Sequence, residues 1–278
     1  MNIKTALHTA THTLAALDTP ALDAAILLAF VLHVDRLTLL LWHERLLTTP
    51  QATHFESLIA QRAQGVPIAY LTGRKAFWSF ELTVNEHTLI PRPETELLVE
   101  TALQLFPRNT TLSAADLGTG TGAIAIALAS ERPAWHITAT DISEEALAVA
   151  RNNAKQQQQH ITFLKSHWFS TLTGKKFHLI VSNPPYLAET DPHLATNIRY
   201  EPYQALVSDA TGFASLAEII AKATQHLYPQ GWLLLEHGYQ QAADVRDCFA
   251  AHHYHHIQSR QDLAGHYRIT FARNNRKA

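Results

Sequence analysis

The sequence predicts an α/β protein in which helices cover both faces of a doubly wound sheet. Three observations lead to this prediction. Apolar runs of strand length alternate with helical segments from residue 112 onward, which is typical of a parallel sheet. A glycine-rich turn at 116–122 stands between a strand and a helix. The apolar run 177–182 stops at two consecutive prolines, which cannot donate hydrogen bonds to a neighbouring strand.

The composition is that of a globular protein without a global basic field. Hydrophobic residues make up 46% of the 278 residues and charged residues 17%, and the formal net charge is −2. We therefore expect no direct nucleic-acid partner. Cys248 is the only cysteine, which excludes a disulfide framework and predicts a cytoplasmic location. No apolar run reaches the roughly 18 residues needed to span a membrane, so no membrane partner is expected.

Residues 1–75 are predicted to form a small helical bundle. Apolar residues recur at helical spacing from Leu14 to Leu37. Thr19-Pro20 is typical of a helix start, and Thr48-Thr49-Pro50 indicates a second one. Nothing in this segment suggests catalysis, and its hydrophobic content indicates a docking or substrate-recognition domain.

Residues 76–91 are predicted to form a β-hairpin linker. The segments 77–84 and 88–90 have strand character and flank Asn85-Glu86-His87, a short polar turn. The proline-punctuated segment 91–96 follows and leads into a helix. Its two acidic residues suit the positive end of a helix dipole. It also lies directly upstream of the glycine-rich turn, so a loop of the ligand site is an equally supported interpretation.

Residues 92–278 are predicted to form the domain that holds the ligand site. Six segments have apolar runs of strand length. The predicted strands are 112–117, 135–140, 161–164, 177–182, 231–236 and 267–271, and the helices after 107 are 123–130, 143–154 and 214–227.

The glycine-rich turn predicts a nucleoside site. Glycines at alternate positions let the chain pass close beneath a ligand, where a Cβ atom would collide. The third glycine comes one residue earlier than in the dinucleotide fingerprint, so the ligand need not carry phosphate. Asp141 ends the next strand about 20 residues on, where a carboxylate accepts hydrogen bonds from ribose hydroxyls. The residues assigned to this site are Asp116, Gly118, Thr119, Gly120, Thr121, Gly122 and Asp141.

The charge beside the turn favours a cationic nucleoside. Asp116 leads into the turn, and no lysine or arginine lies near it in the sequence. S-adenosyl-L-methionine fits, because it carries an ammonium group and a sulfonium but no phosphate. Trp168, after the third strand, is placed either to flank the adenine ring or to pack in the core.

The segment Asn183-Pro184-Pro185-Tyr186 predicts an acceptor with a planar nitrogen. The Asn183 side-chain oxygen and the Pro184 carbonyl can accept both N–H protons of such a nitrogen and aim its lone pair at a methyl group. The Tyr186 ring can cover the flat face of the same group. We therefore assign catalysis to Asn183, Pro184 and Tyr186, and substrate binding to all four residues. A rigid turn that ends a strand is the alternative.

Together these residues resemble the class I S-adenosylmethionine-dependent methyltransferases, and more narrowly the PrmC/HemK family of peptide chain release factor N5-glutamine methyltransferases. The resemblance implies a catalytic domain with a Rossmann-like, doubly wound sheet of seven strands, the last of them antiparallel to the others. It also implies methylation of the glutamine in the Gly-Gly-Gln motif of class-1 release factors, which the N-terminal domain would contact. Cofactor binding would involve 118–122, Asp141, Trp168 and Asn183. The segments that carry the resemblance are 65–73, 89–96, 116–124, 183–186, 201–206, 235–238 and 262–265.

Other assignments remain open at this point. Ribosomal-protein glutamine methyltransferases resemble this family in both domains but diverge after Pro-Arg, where this chain continues Pro93-Glu94-Thr95-Glu96. Adenine-N6 nucleic-acid methyltransferases share Asn-Pro-Pro-Tyr, yet usually need a basic groove. Residues 1–75 instead mix arginines with acidic residues. A non-catalytic cofactor-binding module would have no reason to keep both motifs unaltered.

Several other features receive no catalytic assignment. The histidine cluster 252–256 lacks carboxylate or cysteine partners at ligand spacing, so we expect a surface or strand edge and no metal. Cys248 has no evident basic activator and is expected to be inert. Glu201-Pro202 and Gly212 fit either a loop over the substrate or a structural corner.

Overall fold

The computed structural model describes residues 1–275 and divides them into two compact units. One unit consists of residues 1–74 and 192–200, and the other of residues 75–191 and the chain from 201 onward. The last three residues of the predicted ligand-site domain, 276–278, lie outside the described residues.

The first unit is built from five helices. Its best-defined helix start is the one predicted at Thr48, whose hydroxyl accepts from the Gln51 backbone while the Gln51 side chain accepts from the Thr48 N–H. An ion pair between Arg62 and Asp23, 2.7 Å long and buried, ties the fourth helix to the second. None of the helices in the described part of the chain is long and apolar enough to cross a membrane. The helices are α1 (Ile3–Thr13), α2 (Pro20–Leu32), α3 (Arg36–Leu41), α4 (Thr49–Ala63) and α5 (Ile68–Thr72).

A distant segment, residues 192–200, completes the first unit. It forms two short 3-10 turns, Pro192–Ala195 and Asn197–Tyr200. The Arg199 guanidinium and the Tyr200 hydroxyl both donate to the Gln64 carbonyl oxygen, each at 2.8 Å. The sequence does not indicate that this segment belongs to the first unit, because polar contacts across 135 residues leave no local pattern.

The predicted hairpin exists, but its strands and turn lie nearer the N-terminus than expected. Strands β1 (Arg74–Phe77) and β2 (Phe80–Thr83) are joined by Trp78-Ser79, with Trp78 at φ 56°. The expected second strand at 88–90 was wrong. There the Ile90 N–H donates to the Glu201 carboxylate at 2.9 Å, so a side chain takes the place of a neighbouring strand.

The remaining elements of the second unit alternate between strands and helices. A 3-10 turn, Pro93–Thr95, opens the first of these helices, which confirms a helix start in the proline-punctuated segment. In chain order the elements are α6 (Glu96–Gln104), β3 (Leu112–Leu117), α7 (Ala123–Glu131), β4 (Trp135–Asp141), α8 (Glu144–Gln156), β5 (Thr162–Lys165), β6 (Phe177–Ser182), β7 (Leu187–Ala188), α9 (Tyr203–Leu206), β8 (Val207–Asp209), α10 (Ala214–Ala223), β9 (Leu227–Glu236), α11 (Ala242–Ala251), β10 (His255–Gln261) and β11 (Tyr267–Arg273).

Seven of these strands form one sheet in the order β10-β11-β9-β6-β3-β4-β5. The strands from β9 to β5 are parallel, and β11 is antiparallel to both of its neighbours. Apolar residues of α6 and α7 pack on one face of the sheet, and those of α10 and α11 on the other. The predicted doubly wound sheet of seven strands with an antiparallel last strand is confirmed.

Two local predictions in the C-terminal part need correction. The helix expected over 214–227 ends at Ala223, and the strand expected to begin at 231 begins at Leu227. The early start accommodates an irregularity, since Gln230 has a φ of 66° and the pairing register with β6 shifts there.

The strand without an apolar run is β10, at the edge of the sheet. His255 and His256 lie on it, and no group of three or more potential ligands among residues 1–275 could hold a metal ion.

Candidate active site

The carboxyl ends of four neighbouring strands meet at one edge of the sheet. Leu117 at the end of β3 pairs with Thr140 of β4 and with Ser182 of β6, and Ser182 pairs with Leu235 of β9. The chain turns away from β3 in opposite directions to reach β4 and β6, which makes this the switch point of the sheet, where ligands bind in open α/β folds. The next residue on each strand is therefore brought to the same place: Gly118, Asp141, Asn183 and Glu236.

The glycine-rich turn follows β3 and keeps its backbone open to a cavity. The Thr119 N–H donates to the Thr140 carbonyl at 2.8 Å, which fixes the turn over the end of β4. Gly118 has a φ of 71°, and a Cβ atom there would lie 3.3 Å from the Trp168 ring. Gly120 has a φ of 55°, and no described atom lies within 4 Å of the place where its Cβ would be. Only glycine suits this path, because the backbone itself forms the floor of the cavity.

Asp116 lies beneath the turn and is fully buried. The Thr119 hydroxyl donates to its Oδ2 atom at 2.7 Å, while Oδ1 has no hydrogen-bond partner in the described chain. Burial raises the pKa of the Asp116 carboxyl to about 7. Thr121 is also buried, and its carbonyl oxygen accepts from the Asn153 side chain at 2.9 Å. Asp116, Thr119 and Thr121 thus support the turn, with the predicted Gly122 at the start of α7.

Asp141 supports the same turn from the end of β4. One carboxylate oxygen accepts from the Gly120 N–H at 2.9 Å and the other from the Ser143 N–H at 3.0 Å. The pKa of the Asp141 carboxyl is raised, mainly by burial. Each carboxylate oxygen can accept a further hydrogen bond. Asp141 is therefore placed both to order the turn and to bind a ligand hydroxyl.

A cavity of about 560 Å³ lies over this edge. Trp168 follows β5, has a φ of 47° and covers Gly118. Its ring lines the cavity and also contacts the core beneath the sheet, so both interpretations of this residue describe part of its environment. Predicted site residues that line the cavity are Gly118, Gly120, Asp141, Trp168, Asn183 and Pro185.

Asn183 holds a fixed orientation at the end of β6. Its Nδ2 atom donates to the Thr95 hydroxyl at 3.2 Å, while its Oδ1 atom is buried without a hydrogen-bond partner among residues 1–275. The Tyr186 carbonyl accepts from the Gln241 side chain at 3.1 Å, which holds the end of the motif. Burial, with the nearby Glu236 carboxyl, raises the pKa of the Tyr186 hydroxyl, so the ring stays neutral. The free amide oxygen is the strongest sign that a donor belongs here.

The cavity also contains residues that the sequence did not predict as ligand contacts. They include Leu89, Ser143, Tyr203 on α9, Ser208 on β8 and Ser215 on α10. Leu89 and Tyr203 lie in segments that carry the family resemblance, but no feature of the sequence assigned them to the ligand, and the three serines belong to no motif. Glu201 acts as a structural corner, since its buried carboxylate pairs with Arg92 and accepts from the Ile90 N–H. The next residue, Pro202, lines the cavity, so both interpretations of this segment describe part of it.

Both parts of the chain resemble known proteins. Family models match at residues 5–73, described as the PrmC N-terminal domain, and at 93–213, described as the methyltransferase small domain. A solved methyltransferase from Pyrococcus furiosus superposes with a TM-score of 0.54 at 19% identity, covering 79% of this chain and 97% of the other. The fold, the switch-point cavity and the Asn-Pro-Pro-Tyr segment define a Rossmann-like methyltransferase.

Relatives with much higher identity narrow this class. The release factor glutamine methyltransferase of Pseudomonas aeruginosa is 46% identical over 91% of this chain and 93% of its own length. The release factor glutamine methyltransferase of Salmonella typhimurium is 46% identical over 96% and 97%. This chain belongs to the release factor glutamine methyltransferase family, which confirms the family indicated by the sequence.

Proposed function

We propose that this protein transfers a methyl group from S-adenosyl-L-methionine to the side-chain amide nitrogen of the glutamine in the Gly-Gly-Gln motif of class-1 release factors. One observation carries the proposal. The free Oδ1 atom of Asn183 and the glycine floor of the cavity lie at the same sheet edge, so a methyl donor and an amide can be held side by side.

The residues around the cavity fit the cofactor. The turn at 118–122 offers a backbone floor without side chains, and Asp141 can accept from the ribose hydroxyls. None of the described residues that line the cavity is a lysine or an arginine, which favours a cofactor without phosphate, and Asp116 adds an acidic group beneath the turn. Trp168 supplies a flat surface for the adenine ring. When bound, the cofactor supplies an electrophilic methyl group on a sulfonium.

Asn183, Pro184 and Tyr186 hold the acceptor. The Asn183 Oδ1 atom and the Pro184 carbonyl accept the two N–H groups of the glutamine side chain, and Pro185 keeps the turn rigid. This fixes the amide plane and aims the nitrogen lone pair along the line of transfer. The neutral Tyr186 ring covers the amide and stabilises the positive charge that develops on it. A general base is not required before transfer, because the proton leaves the methylated nitrogen afterwards.

The two parts of the chain have different roles in this proposal. Residues 1–75 contact the release factor away from the chemistry, residues 76–91 act as a linker, and residues 92–278 carry the transfer. The partner is a protein of the cytoplasmic translation machinery, and no direct contact with nucleic acid is needed. The family relationship to proteins named for release factors supports this choice of partner.

A labelling experiment tests the proposal directly. The protein is incubated with methyl-labelled S-adenosylmethionine and a class-1 release factor, either wild type or with its Gly-Gly-Gln glutamine replaced. DNA, RNA and ribosomal protein are offered in parallel. We expect label on the wild-type release factor alone. Label on nucleic acid, on ribosomal protein or on the factor without its glutamine would overturn the assignment.

Asp141→Ala should weaken cofactor binding by about 10- to 100-fold, since charged hydrogen bonds contribute about 1.5–3 kcal/mol. The variant loses the ribose acceptor and also the bond that holds the Gly120 N–H. Isothermal calorimetry with S-adenosylmethionine measures the change. Glu145→Ala is the matched control, because Glu145 is an exposed acid in the first turn of α8. Equal affinity of both variants would mean that the ribose is held elsewhere.

A further inference from the structure

Asn183 can bind the acceptor nitrogen only if its side-chain amide turns its oxygen toward that nitrogen. Its side chain carries an oxygen that accepts and a nitrogen that donates, and the two have nearly the same shape. If the group rotated by half a turn, its NH₂ would face the N–H groups of the substrate and repel them. In the structure the nitrogen faces Thr95 at 3.2 Å and the oxygen is left free. A neighbouring side chain must select this orientation of the Asn183 amide.

Thr95 is the group that Asn183 meets. It ends the 3-10 turn before α6, is 5% exposed and lies 88 residues from Asn183 in the sequence. A hydroxyl can donate one hydrogen bond and accept others. Thr95 therefore selects the orientation of Asn183 only if its own proton is committed to a different partner.

Glu236 is that partner. It ends β9, is 1% exposed, and its carboxyl lies close enough to the Thr95 side chain for a hydrogen bond from that hydroxyl to lower the pKa of the carboxyl. An ionised carboxylate accepts hydrogen bonds but cannot donate them. Thr95 must then donate to Glu236, and its oxygen is left to accept from Asn183. Glu236 thus accepts from Thr95, and Thr95 accepts from the Asn183 nitrogen, which leaves the Asn183 Oδ1 atom free.

We propose that Thr95 and Glu236 are positioning residues that fix the Asn183 amide with its oxygen toward the acceptor nitrogen. The proposal rests on the methyl transfer proposed above, but the orientation itself is a property of the free protein. It gives Thr95 a role that the helix start alone does not need. It also gives a reason for the burial of the Glu236 carboxyl beside the motif.

The arrangement makes methyl transfer sensitive to pH. Burial raises the pKa of the Glu236 carboxyl to about 7. Arg268 on β11 and Arg92 before α6 oppose that rise, whereas Glu94 adds to it, and the neutral Tyr186 hydroxyl also faces the carboxyl. Below the pKa the carboxyl is protonated and can donate to Thr95. The Thr95 hydroxyl is then free to donate to Asn183, and the Asn183 amide is no longer held in one orientation. The transfer rate should therefore fall as the pH falls through about 7.

Thr95→Val and Thr95→Ser form the first test. Valine keeps the shape of threonine without the hydroxyl, and serine keeps the hydroxyl. With saturating release factor, single-turnover transfer should be about 10- to 100-fold slower in Thr95→Val, because a misoriented group costs about that much. Thr95→Ser should stay within about threefold of the wild type, and both should bind S-adenosylmethionine with unchanged affinity. Wild-type rates in Thr95→Val, or equal losses in both variants, would overturn the proposal.

Glu236→Gln supplies a second test that remains decisive if Thr95→Val does not fold. Glutamine cannot titrate, so with S-adenosylmethionine saturating, the fall in rate below about pH 7 should be clearly smaller in this variant than in the wild type. Asp116, whose pKa is also about 7, titrates in both proteins, and saturating cofactor limits its effect on the measured rate. An unchanged pH profile in Glu236→Gln would contradict the role of Glu236.

A measurement on the free protein separates this proposal from the methyl transfer on which it rests. In ¹⁵N-labelled protein, the side-chain amide signal of Asn183 is identified by its loss in Asn183→Ala. It should shift with a midpoint near pH 7 in the wild type and not in Glu236→Gln. A signal insensitive to pH would refute the positioning role, whichever substrate the protein methylates. Failure to label the release factor, with this titration present, would refute only the substrate.

Discussion

Asn183→Ala should lower the rate of methyl transfer by about 100- to 1000-fold, as the loss of one preorganised polar group at a reacting centre typically does. The alanine variant lacks the buried Oδ1 atom that is free to accept the glutamine amide. The acceptor nitrogen then loses its fixed plane, and the lone pair is no longer held toward the methyl group. The loss should appear mainly in kcat, with a further loss in kcat/KM because Asn183 also contacts the bound substrate.

The fold should survive this substitution. Asn183 makes one side-chain hydrogen bond that the structure records, to Thr95, and such a bond contributes about 1 kcal/mol. Thermal unfolding and cofactor affinity are the measurements that separate a chemical defect from a structural one. Asn152→Ala, an exposed asparagine on α8, is the matched control and should transfer methyl groups at the wild-type rate. Near-normal methylation by Asn183→Ala would remove Asn183 from the mechanism.

The sequence revealed the parts of the site that depend on neighbouring residues. The glycine-rich turn and the Asn-Pro-Pro-Tyr segment each combine a strand end with an unusual backbone requirement, and both features are visible within seven residues. Their meeting at one edge follows from the parallel sheet, because parallel strands that are neighbours end together. The register of Leu117 with Ser182 is the structural basis of that prediction.

The sequence carried no comparable local signal for the contacts that support the site. Thr95 and Asn183 are 88 residues apart, and Glu236 comes from a third segment of the chain. The Pro91–Glu96 segment was recognised as a helix start or as a loop of the ligand site. In the structure it is a helix start whose last 3-10 residue also contacts Asn183, so the two interpretations do not exclude one another. A single sequence gives spacing along the chain, whereas this contact depends on tertiary packing.

Strand prediction failed where side chains do not follow the pattern of a buried sheet. β10 lies at the edge, is mostly half-buried, and shifts register between His255 and Gln258. An edge strand with an irregular register needs no apolar alternation. The strands and turn of the hairpin were misplaced for a different reason. Trp78 adopts a left-handed conformation in the turn, which is uncommon for a bulky residue and therefore gives no turn signal.

Gly212→Ala should displace the Asn-Pro-Pro-Tyr segment, although Gly212 lies outside that segment. Gly212 has a φ of 75°, and a Cβ atom there would lie 2.6 Å from the Tyr186 carbonyl oxygen and 2.9 Å from the Ala188 nitrogen. Both are backbone atoms, so the clash cannot be relieved by rotating a side chain. The Gln241 amide donates to both the Tyr186 and Gly212 carbonyls, at 3.1 and 2.9 Å, and holds the two segments together. The methyl side chain would therefore push Tyr186 away from its position.

Gly174→Ala separates this clash from simple backbone strain. Gly174 has a φ of 74°, but no described atom lies within 4 Å of its expected Cβ. Both variants should lose about 1–2 kcal/mol of stability to the left-handed conformation. Gly212→Ala should lose about 1–3 kcal/mol more through overpacking, and should transfer methyl groups about 100-fold more slowly because Tyr186 is displaced. Thermal unfolding and single-turnover rates measure both effects. Equal behaviour of the two variants would mean that the contact between Gly212 and the Tyr186 backbone does not hold the site in place.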